Sequence, residues 1–482
     1  MPDNKVTVSD ALLGDDYAAD GPVVIHYSDG RIRSVTKSSD ASRSGRRLLM
    51  PAFANAHDHA RPLSTTSFGA SGKPLETWLL RLAVLPSVDP YLAAAAAFGR
   101  AAEGGCGSVM VHYTRPQGPM DLPEEAAIVA RAAQDVGVRM AFAVALRDRN
   151  PLVYGDDSQL RDSLPVSART ALERYFNLPK MSVAEQIDQV DAVAEAVGSE
   201  GADVQYGPTG VQWCSEAMLE AIAEASARTG RRIHMHLLET LCQRDYLDHM
   251  YPGGVVRRLH EIGLLSPRLT LAHCVWARPD ELEMLAESGV TIAINTSSNL
   301  HLRSGIAPLE AMRQAGCRIA MGLDGCALDE DDDALRELRL NTLLHDEVGF
   351  AARNTRQEML RRSTGNGRAS VGATGSGVIA VGEPADWMTL DLDGLDRDRI
   401  MPVAPEDLLF SRATRSYLDE LVVAGRTVVS GGTVSEIDLT AVQEQLRAQF
   451  RQALGERNDL ISAWPPIENA VARFYRDRLG CC

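Results

Sequence analysis

Ala202-Asp-Val-Gln-Tyr206, then Ser215-Glu-Ala-Met-Leu-Glu-Ala-Ile-Ala-Glu-Ala-Ser-Ala-Arg-Thr-Gly230, then Arg232-Ile-His-Met-His-Leu-Leu238 form one unit of short apolar run, helix-period segment and second apolar run. The middle segment ends on a glycine, as a helix C-terminus commonly does. A strand, a helix and another strand in this order make a βαβ unit, and such units build parallel sheets.

The same rhythm extends outward in both directions. Apolar runs recur at Leu48–Phe53, Ser108–Tyr113, Arg139–Leu146, Leu269–Val275, Thr291–Asn295 and Arg318–Leu323. Amphipathic stretches lie between them, among them Tyr91–Gly104, Glu124–Gly137, Val183–Gly198 and Pro279–Gly289. Eight units over about 300 residues fit an α/β fold of the (β/α)₈ barrel type better than an open sheet. The flanks read differently. Pro22-Val-Val-Ile-His-Tyr-Ser-Asp-Gly-Arg-Ile32 has a hairpin pattern with Asp29-Gly30 at the turn. Gly377 to Asp391 and Leu421-Val-Val-Ala-Gly-Arg-Thr-Val-Val-Ser-Gly431 are strand-like as well. The expected organisation is a small β-sandwich-like domain made from both chain ends, residues 1–50 and 371–435, with the barrel at 51–370 inserted between them. A helical tail at 436–482 follows, expected to break at Pro465-Pro466 and to pack on the barrel or on a partner subunit.

Composition narrows the function. The chain has 482 residues, 45% hydrophobic and 24% charged, so it can bury a large core and is not expected to be disordered. Its formal charge of −16, with no basic run, argues against a nucleic-acid polymer as partner. No apolar stretch approaches the ~18 residues of a membrane span, and Met1-Pro-Asp-Asn-Lys5 has no apolar run after it, so neither a span nor a signal peptide is expected. The eight cysteines are scattered without a C-x-x-C pair, which fits reduced, mostly buried thiols in a cytoplasm.

Active sites of such barrels sit at the C-terminal ends of the strands, and metal-type ligands collect there. His57-Asp58-His59 follows the first run; on an extended chain residues i and i+2 face the same way, so both imidazoles can point into the mouth. His236 closes the fifth run, His273 the sixth and Asp324 the eighth. One H-x-H pair carries little information, and a satisfied core histidine is the commoner explanation of any single one. The conjunction at predicted strands 1, 5, 6 and 8 is what points to a metal site. Three imidazoles and a carboxylate suit zinc, or iron(II).

The stretches Pro51-Ala-Phe-Ala-Asn-Ala-His-Asp-His59, His234-Met-His-Leu-Leu-Glu-Thr240, Ala272-His-Cys274, Ser297-Ser-Asn-Leu-His-Leu-Arg-Ser-Gly-Ile-Ala-Pro308 and Gly322-Leu-Asp-Gly325 resemble the amidohydrolase superfamily, in particular its aminohydrolase branch. That branch includes the S-adenosylhomocysteine, methylthioadenosine and guanine deaminases and the triazine hydrolases. Glu383-Pro-Ala-Asp-Trp387 is similar to the branch's Gly-x-x-Ala-Asp segment, and the resemblance runs to about residue 435. It implies His57, His59, His236 and Asp324 as metal ligands and Glu239 as proton shuttle. His273 would hydrogen-bond the attacking water or the developing oxyanion. Relatives with two metals bridge them with a carboxylated lysine on the fourth strand. The four lysines here, Lys5, Lys37, Lys73 and Lys180, include none at that place, so one divalent ion is expected.

The implied activity is hydrolytic deamination of a small nitrogen heterocycle: a purine, pterin, pyrimidine or triazine-like ring. Hydrolysis of a cyclic amide, an imine or a carbon–halogen bond is the alternative on the same scaffold. Trp78, Trp213, His112 and His301 are the pocket candidates, although the tryptophans would serve equally as packing and His112 as a satisfied barrel-interior histidine. Asn295-Thr-Ser-Ser-Asn299, Leu323-Asp-Gly325 and Leu328-Asp329 depart from the wording usual in relatives, so no single relative's substrate transfers directly. Relatives are often oligomeric, and a homo-oligomer acting on a small molecule is expected.

Overall fold

The computed structural model describes residues 4–38, 45–198, 202–325, 330–346 and 355–479. Leu328-Asp329, Cys326, Cys481 and Cys482 lie outside them. Eight strands form one parallel sheet in sequential order: β1 (Phe53–Asp58), β2 (Cys106–Tyr113), β3 (Arg139–Leu146), β4 (Asp203–Pro208), β5 (Ile233–Leu237), β6 (Leu269–His273), β7 (Thr291–Ile294) and β8 (Arg318–Met321). The ring closes just past β8, where the backbone N–H groups of Leu323 and Asp324 donate to the carbonyl of His57 at 3.2 and 2.9 Å. Helices stand between the strands, and the fold is a TIM barrel.

Local chemistry explains the helix ends. Asp89, Asp121, Ser182 and Ser215 accept backbone N–H bonds at the first turns of the helices Pro90–Glu103, Leu122–Val136, Val183–Val197 and Glu216–Thr229. Gly137 and Gly230 close two of them with φ of 101° and 73°, a region costly for residues with a Cβ.

The chain ends form a second layered unit. Trp387–Asp391 pairs antiparallel with Arg47–Pro51, so N- and C-terminal segments share one seven-stranded sheet. A three-stranded sheet of Asn4–Val8, Val23–Ser28 and Arg31–Lys37 packs on it through Val8, Ile25, Ile32, Leu49 and Trp387. The hairpin turns at Asp29-Gly30, both with positive φ (50° and 71°).

Two expectations are corrected. The run Leu48–Phe53 is not a barrel strand: Arg47–Pro51 belongs to the small sheet, and the barrel begins at Phe53. Leu48 and Met50 pack into the barrel core while Leu49 packs into the small-domain core, so both faces of this strand are apolar and the run reads as continuous. The tail does not break at Pro465-Pro466. The helix Asn458–Leu479 runs through both prolines, and the interruption is the 3₁₀ turn Leu454–Arg457 after the helix Leu439–Ala453. Leu460, Trp464, Ile467 and Val471 are buried against Leu80, Leu152 and Leu172, and this packing offsets the backbone bonds that the prolines cannot donate. Among the described residues no helix is long and apolar enough to cross a membrane. Cys106, Cys214 and Cys274 are buried, and Cys242 and Cys317 are half-buried; all five are free thiols.

Candidate metal centre and substrate cavity

Residues at the C-terminal ends of β1, β5, β6 and β8 converge. His57 Nε2 and His59 Nε2 stand 3.3 and 3.2 Å from Asp324 Oδ1, and His236 Nε2 is 3.3 Å from His59 Nε2. Ligand-type atoms of His57, His59 and His236, and of His57, His273 and Asp324, lie within 4.8 Å of one another. Close approach of β8 to β1 requires Gly322: a Cβ there would meet Asn295 Oδ1 at 2.1 Å and the His57 backbone N at 3.0 Å. Ala60, Leu238, His273, Cys274 and Asp324 all have positive φ. Such conformations cost energy and tend to gather at functional sites; here they cluster where the strands deliver these side chains.

The donor set fits a divalent cation. Burial holds the His57 imidazole down to about 3 and lowers His59, while His236 lies well below its usual range through burial and then the neighbouring His57. Neutral rings present lone pairs, as a metal requires. His59 Nδ1 sits 2.7 Å from the His112 carbonyl and His236 Nδ1 2.7 Å from the Thr209 carbonyl, which leaves each Nε2 for the centre. Both ring nitrogens of His57, a fully buried residue, lack a hydrogen-bond partner. Burial alone would raise Asp324, but Arg61 and the two histidines override it and keep the carboxylate ionised. Ser298 Oγ donates to Asp324 Oδ2 at 2.6 Å and fixes its orientation.

Glu239 and His273 stand beside the cluster. Glu239 Oε2 is 3.7 Å from His273 Nε2, and His273 Nδ1 is 2.8 Å from Asn299 Oδ1. Burial pushes the Glu239 carboxyl up to about 7, with His273 pulling it down and Asp324 raising it. It can therefore hold or release a proton near neutral pH.

A cavity of about 380 Å³ opens from this floor, and His59, His236, Glu239, His273 and Asp324 line its base. Trp78 and Trp213 line its walls. Trp78 is held by a bond from its Nε1 to Thr65 Oγ1 (3.3 Å), with the Arg61 guanidinium 4.8 Å from its ring centre. The pocket expectation for His112 and His301 is corrected: neither lines the cavity. His112 is turned into the barrel, where Nε2 meets the Gly207 carbonyl (3.1 Å) and Nδ1 meets His234 Nδ1 (3.3 Å). His301 is the last residue of the short helix Thr296–His301, and its buried Nε2 has no hydrogen-bond partner. His234 is likewise buried below the mouth, stacked on His57 with centroids 4.9 Å apart.

Several lining residues carry no signal of their own in the sequence. Glu76 is buried on the wall and accepts a bond from Thr240 Oγ1 at 2.5 Å. Arg115 and Arg147 come from the loops after β2 and β3, and Arg457 and Tyr475 from the tail. Ser298 and Asn299 lie inside a stretch already tied to the site by resemblance, and a polar run just past β7 is the signal that marks them.

The class defined by this geometry, a TIM barrel with a His/Asp metal-binding cluster at its mouth, agrees with the comparisons. The family model described as "Amidohydrolase family" matches residues 48–432, and the chain belongs to that family. A protein of Methanosarcina barkeri named 5'-deoxyadenosine deaminase is 34% identical over 241 residues, 50% of this chain and 55% of that protein. The chain thus spans about half the length of the first curated relatives it matches. A 5-methylthioadenosine/S-adenosylhomocysteine deaminase of Pyrococcus abyssi is 26% identical over 90% of this chain and 93% of its own length. Among solved structures, an adenosine deaminase from Xanthomonas campestris with bound zinc superposes with a TM-score of 0.75 at 21% identity, covering 93% of this chain and 98% of that one. A triazine hydrolase variant gives a TM-score of 0.77 at 21% identity over 92% and 99%. At such identities these two similarities bear on fold alone.

Proposed function

We propose that the protein is a metal-dependent aminohydrolase acting on a small nitrogen heterocycle. The exocyclic C–N bond breaks, the oxygen of water takes the nitrogen's place on the ring carbon, and ammonia or an amine leaves. His57, His59, His236 and Asp324 would hold one divalent ion, for which we assign zinc on the strength of three imidazoles and a carboxylate. Such an ion, when bound, makes a water acidic enough to be a nucleophile near neutral pH. No lysine lines the cavity among the described residues, which supports a single ion.

The protein's own groups do the rest. Glu239, with a carboxyl near 7, accepts a proton from the attacking water and returns it to the departing nitrogen. His273, its Nδ1–H donated to Asn299 Oδ1, presents the Nε2 lone pair to accept a hydrogen bond from the attacking water. Trp78 and Trp213 supply flat apolar walls for a ring and help keep bulk water out. The observation that carries this reading is a buried carboxylate, Glu239, 3.7 Å from a positioned imidazole and beside the His/Asp cluster. The curated relatives named as deaminases support the choice of bond.

The test is ammonia release from a panel of purine, pterin, pyrimidine and triazine amines by zinc-reconstituted protein. Turnover of at least one ring amine is expected. Cleavage of a lactam or a carbon–halogen bond with no ring amine consumed would replace this reading.

A further inference from the structure

The chain carries a net charge of −16, yet the outer wall of the cavity is cationic. Arg115, Arg147 and Arg457 line it, and among the described residues no carboxylate lies within ion-pair distance of any of them. Arg115 Nη2 donates to the Leu85 carbonyl, but its buried Nη1 has no partner. Arg457 rests with its guanidinium 5.0 Å from the Tyr175 ring centre, and its buried Nε has no partner either. Burial pushes the Arg115 guanidinium down to about 10, with the like charge of Arg457 adding to the effect, and burial also lowers Arg147. Arg115 and Arg457 are partly desolvated cations that repel each other, an arrangement unfavourable unless something of opposite charge completes the site. Of the other charged groups lining the cavity, Arg61 lies 3.5 Å from Asp324, Glu239 lies beside His273, and Glu76 accepts from Thr240.

Arg457 belongs to the tail, beyond the residues that match the family. Tail side chains fix its place over the mouth. Tyr175 Oη donates to Asp459 Oδ1 (2.9 Å), the Tyr154 backbone N–H donates to Tyr475 Oη (3.1 Å), and Arg478 Nη1 donates to the Tyr154 carbonyl (2.7 Å). Lys73 pairs with Glu468, and the Arg81 guanidinium lies 5.5 Å from the Trp464 ring centre. The tail is thus the roof of the cavity.

We propose that Arg115, Arg147 and the tail residue Arg457 form an oxyanion subsite, so that the substrate carries a carboxylate or phosphate group on the end remote from the reacting carbon. The planar guanidinium matches either group with two parallel N–H bonds. That the other end of this substrate is a ring amine rests on the function proposed above; the anion subsite itself does not.

The experiment is isothermal calorimetry of inorganic phosphate and of acetate on the zinc-loaded full chain. Wild type is compared with Arg115→Gln, Arg457→Gln and, as a control, Arg33→Gln, whose guanidinium pairs with exposed Asp29 at 2.8 Å in the hairpin of the small domain. Affinity for at least one anion is expected to fall at least tenfold in the first two variants and to stay unchanged in the third. Preference for acetate identifies a carboxylate, and preference for phosphate a phosphate. Equal affinity in all four proteins, or no binding to wild type, overturns the subsite. A second arm measures kcat/KM for matched ring amines with and without an anionic substituent. At least a tenfold advantage for the anionic member, lost in Arg457→Gln, supports the subsite, and an advantage that survives this substitution overturns it. If no ring amine is consumed while phosphate binding still depends on the arginines, the function falls and the subsite stands.

Discussion

The two ends of one cavity are built by different means. At the floor, His57, His59, His236, His273 and Asp324 are delivered by strand ends or the residues just past them, so their positions follow from the barrel itself. At the roof, Arg115 and Arg147 ride on loops and Arg457 on the 3₁₀ turn between two tail helices, whose contacts reach across more than 300 residues, as between Tyr154 and Tyr475. The floor lies within the segment that matches the family, whereas the tail lies outside it. A fold that fixes the chemistry with its most rigid elements leaves the loops and the tail to choose the substrate.

The sharpest way to break this contrast is at the floor. Glu239→Gln is expected to lower kcat by about 10²–10⁴-fold while zinc content, measured by elemental analysis, stays unchanged. A near-normal rate would remove Glu239 from proton transfer. His57→Ala is the complementary change, with zinc stoichiometry expected to collapse. Next in size is a change at the roof. Trp464 is buried, and its Nε1 donates to Glu468 Oε2 at 2.8 Å. Trp464→Ala should cost roughly 3–5 kcal/mol of stability, read by urea unfolding, with faster hydrogen exchange in residues 147–177. Zinc content should be retained; zinc lost together with the roof would show that the two ends are not independent.

The same contrast explains what the sequence reveals. The H-x-H pair after β1, His236 in its short motif and Asp324 before Gly325 are each legible because a ligand at a strand end has a fixed address in a repeating βα pattern. Trp78 and Trp213 are legible as large aromatics near that address. His112 stays open between pocket and barrel interior in the sequence, because an inward-facing strand residue can point at the mouth or below it; its bonds lie inside the barrel. Arg457 is illegible for a stronger reason: an arginine in a polar helical tail looks like any solvated charge until tertiary packing carries it to the cavity. Pro465-Pro466 misleads likewise, since local propensity yields to the buried cluster around Trp464.

A smaller effect separates orientation from ligation within the floor. Ser298 is not itself a candidate ligand but donates to Asp324 Oδ2 at 2.6 Å. Ser298→Ala should weaken zinc binding or turnover about 10–100-fold, measured by chelator competition and initial rates. No change in either would mean that the barrel backbone alone orients Asp324.

The smallest effect concerns the collar between floor and roof. Glu330 accepts hydrogen bonds from the Ser64 and Thr65 hydroxyls and from the backbone N–H of Thr65 (2.6 Å) and Thr66 (3.2 Å), and Thr65 in turn holds Trp78. Burial would raise this carboxyl, but the hydroxyl donors outweigh it and bring it down to about 2 from 4.5. A depressed folded-state value means that the stabilisation is complete above pH 4.5 and is lost as pH falls toward 2. Glu330→Gln should therefore cost about 1 kcal/mol at pH 7, a modest figure because solvent reaches the carboxylate. The gap between wild type and variant, followed by thermal unfolding of the metal-free proteins, should narrow steadily from pH 5 to pH 3. A gap that stays constant across that window would show that the collar is held by packing around Thr65 and Trp78 rather than by the charge on Glu330, and would move control of the cavity wall back to the barrel.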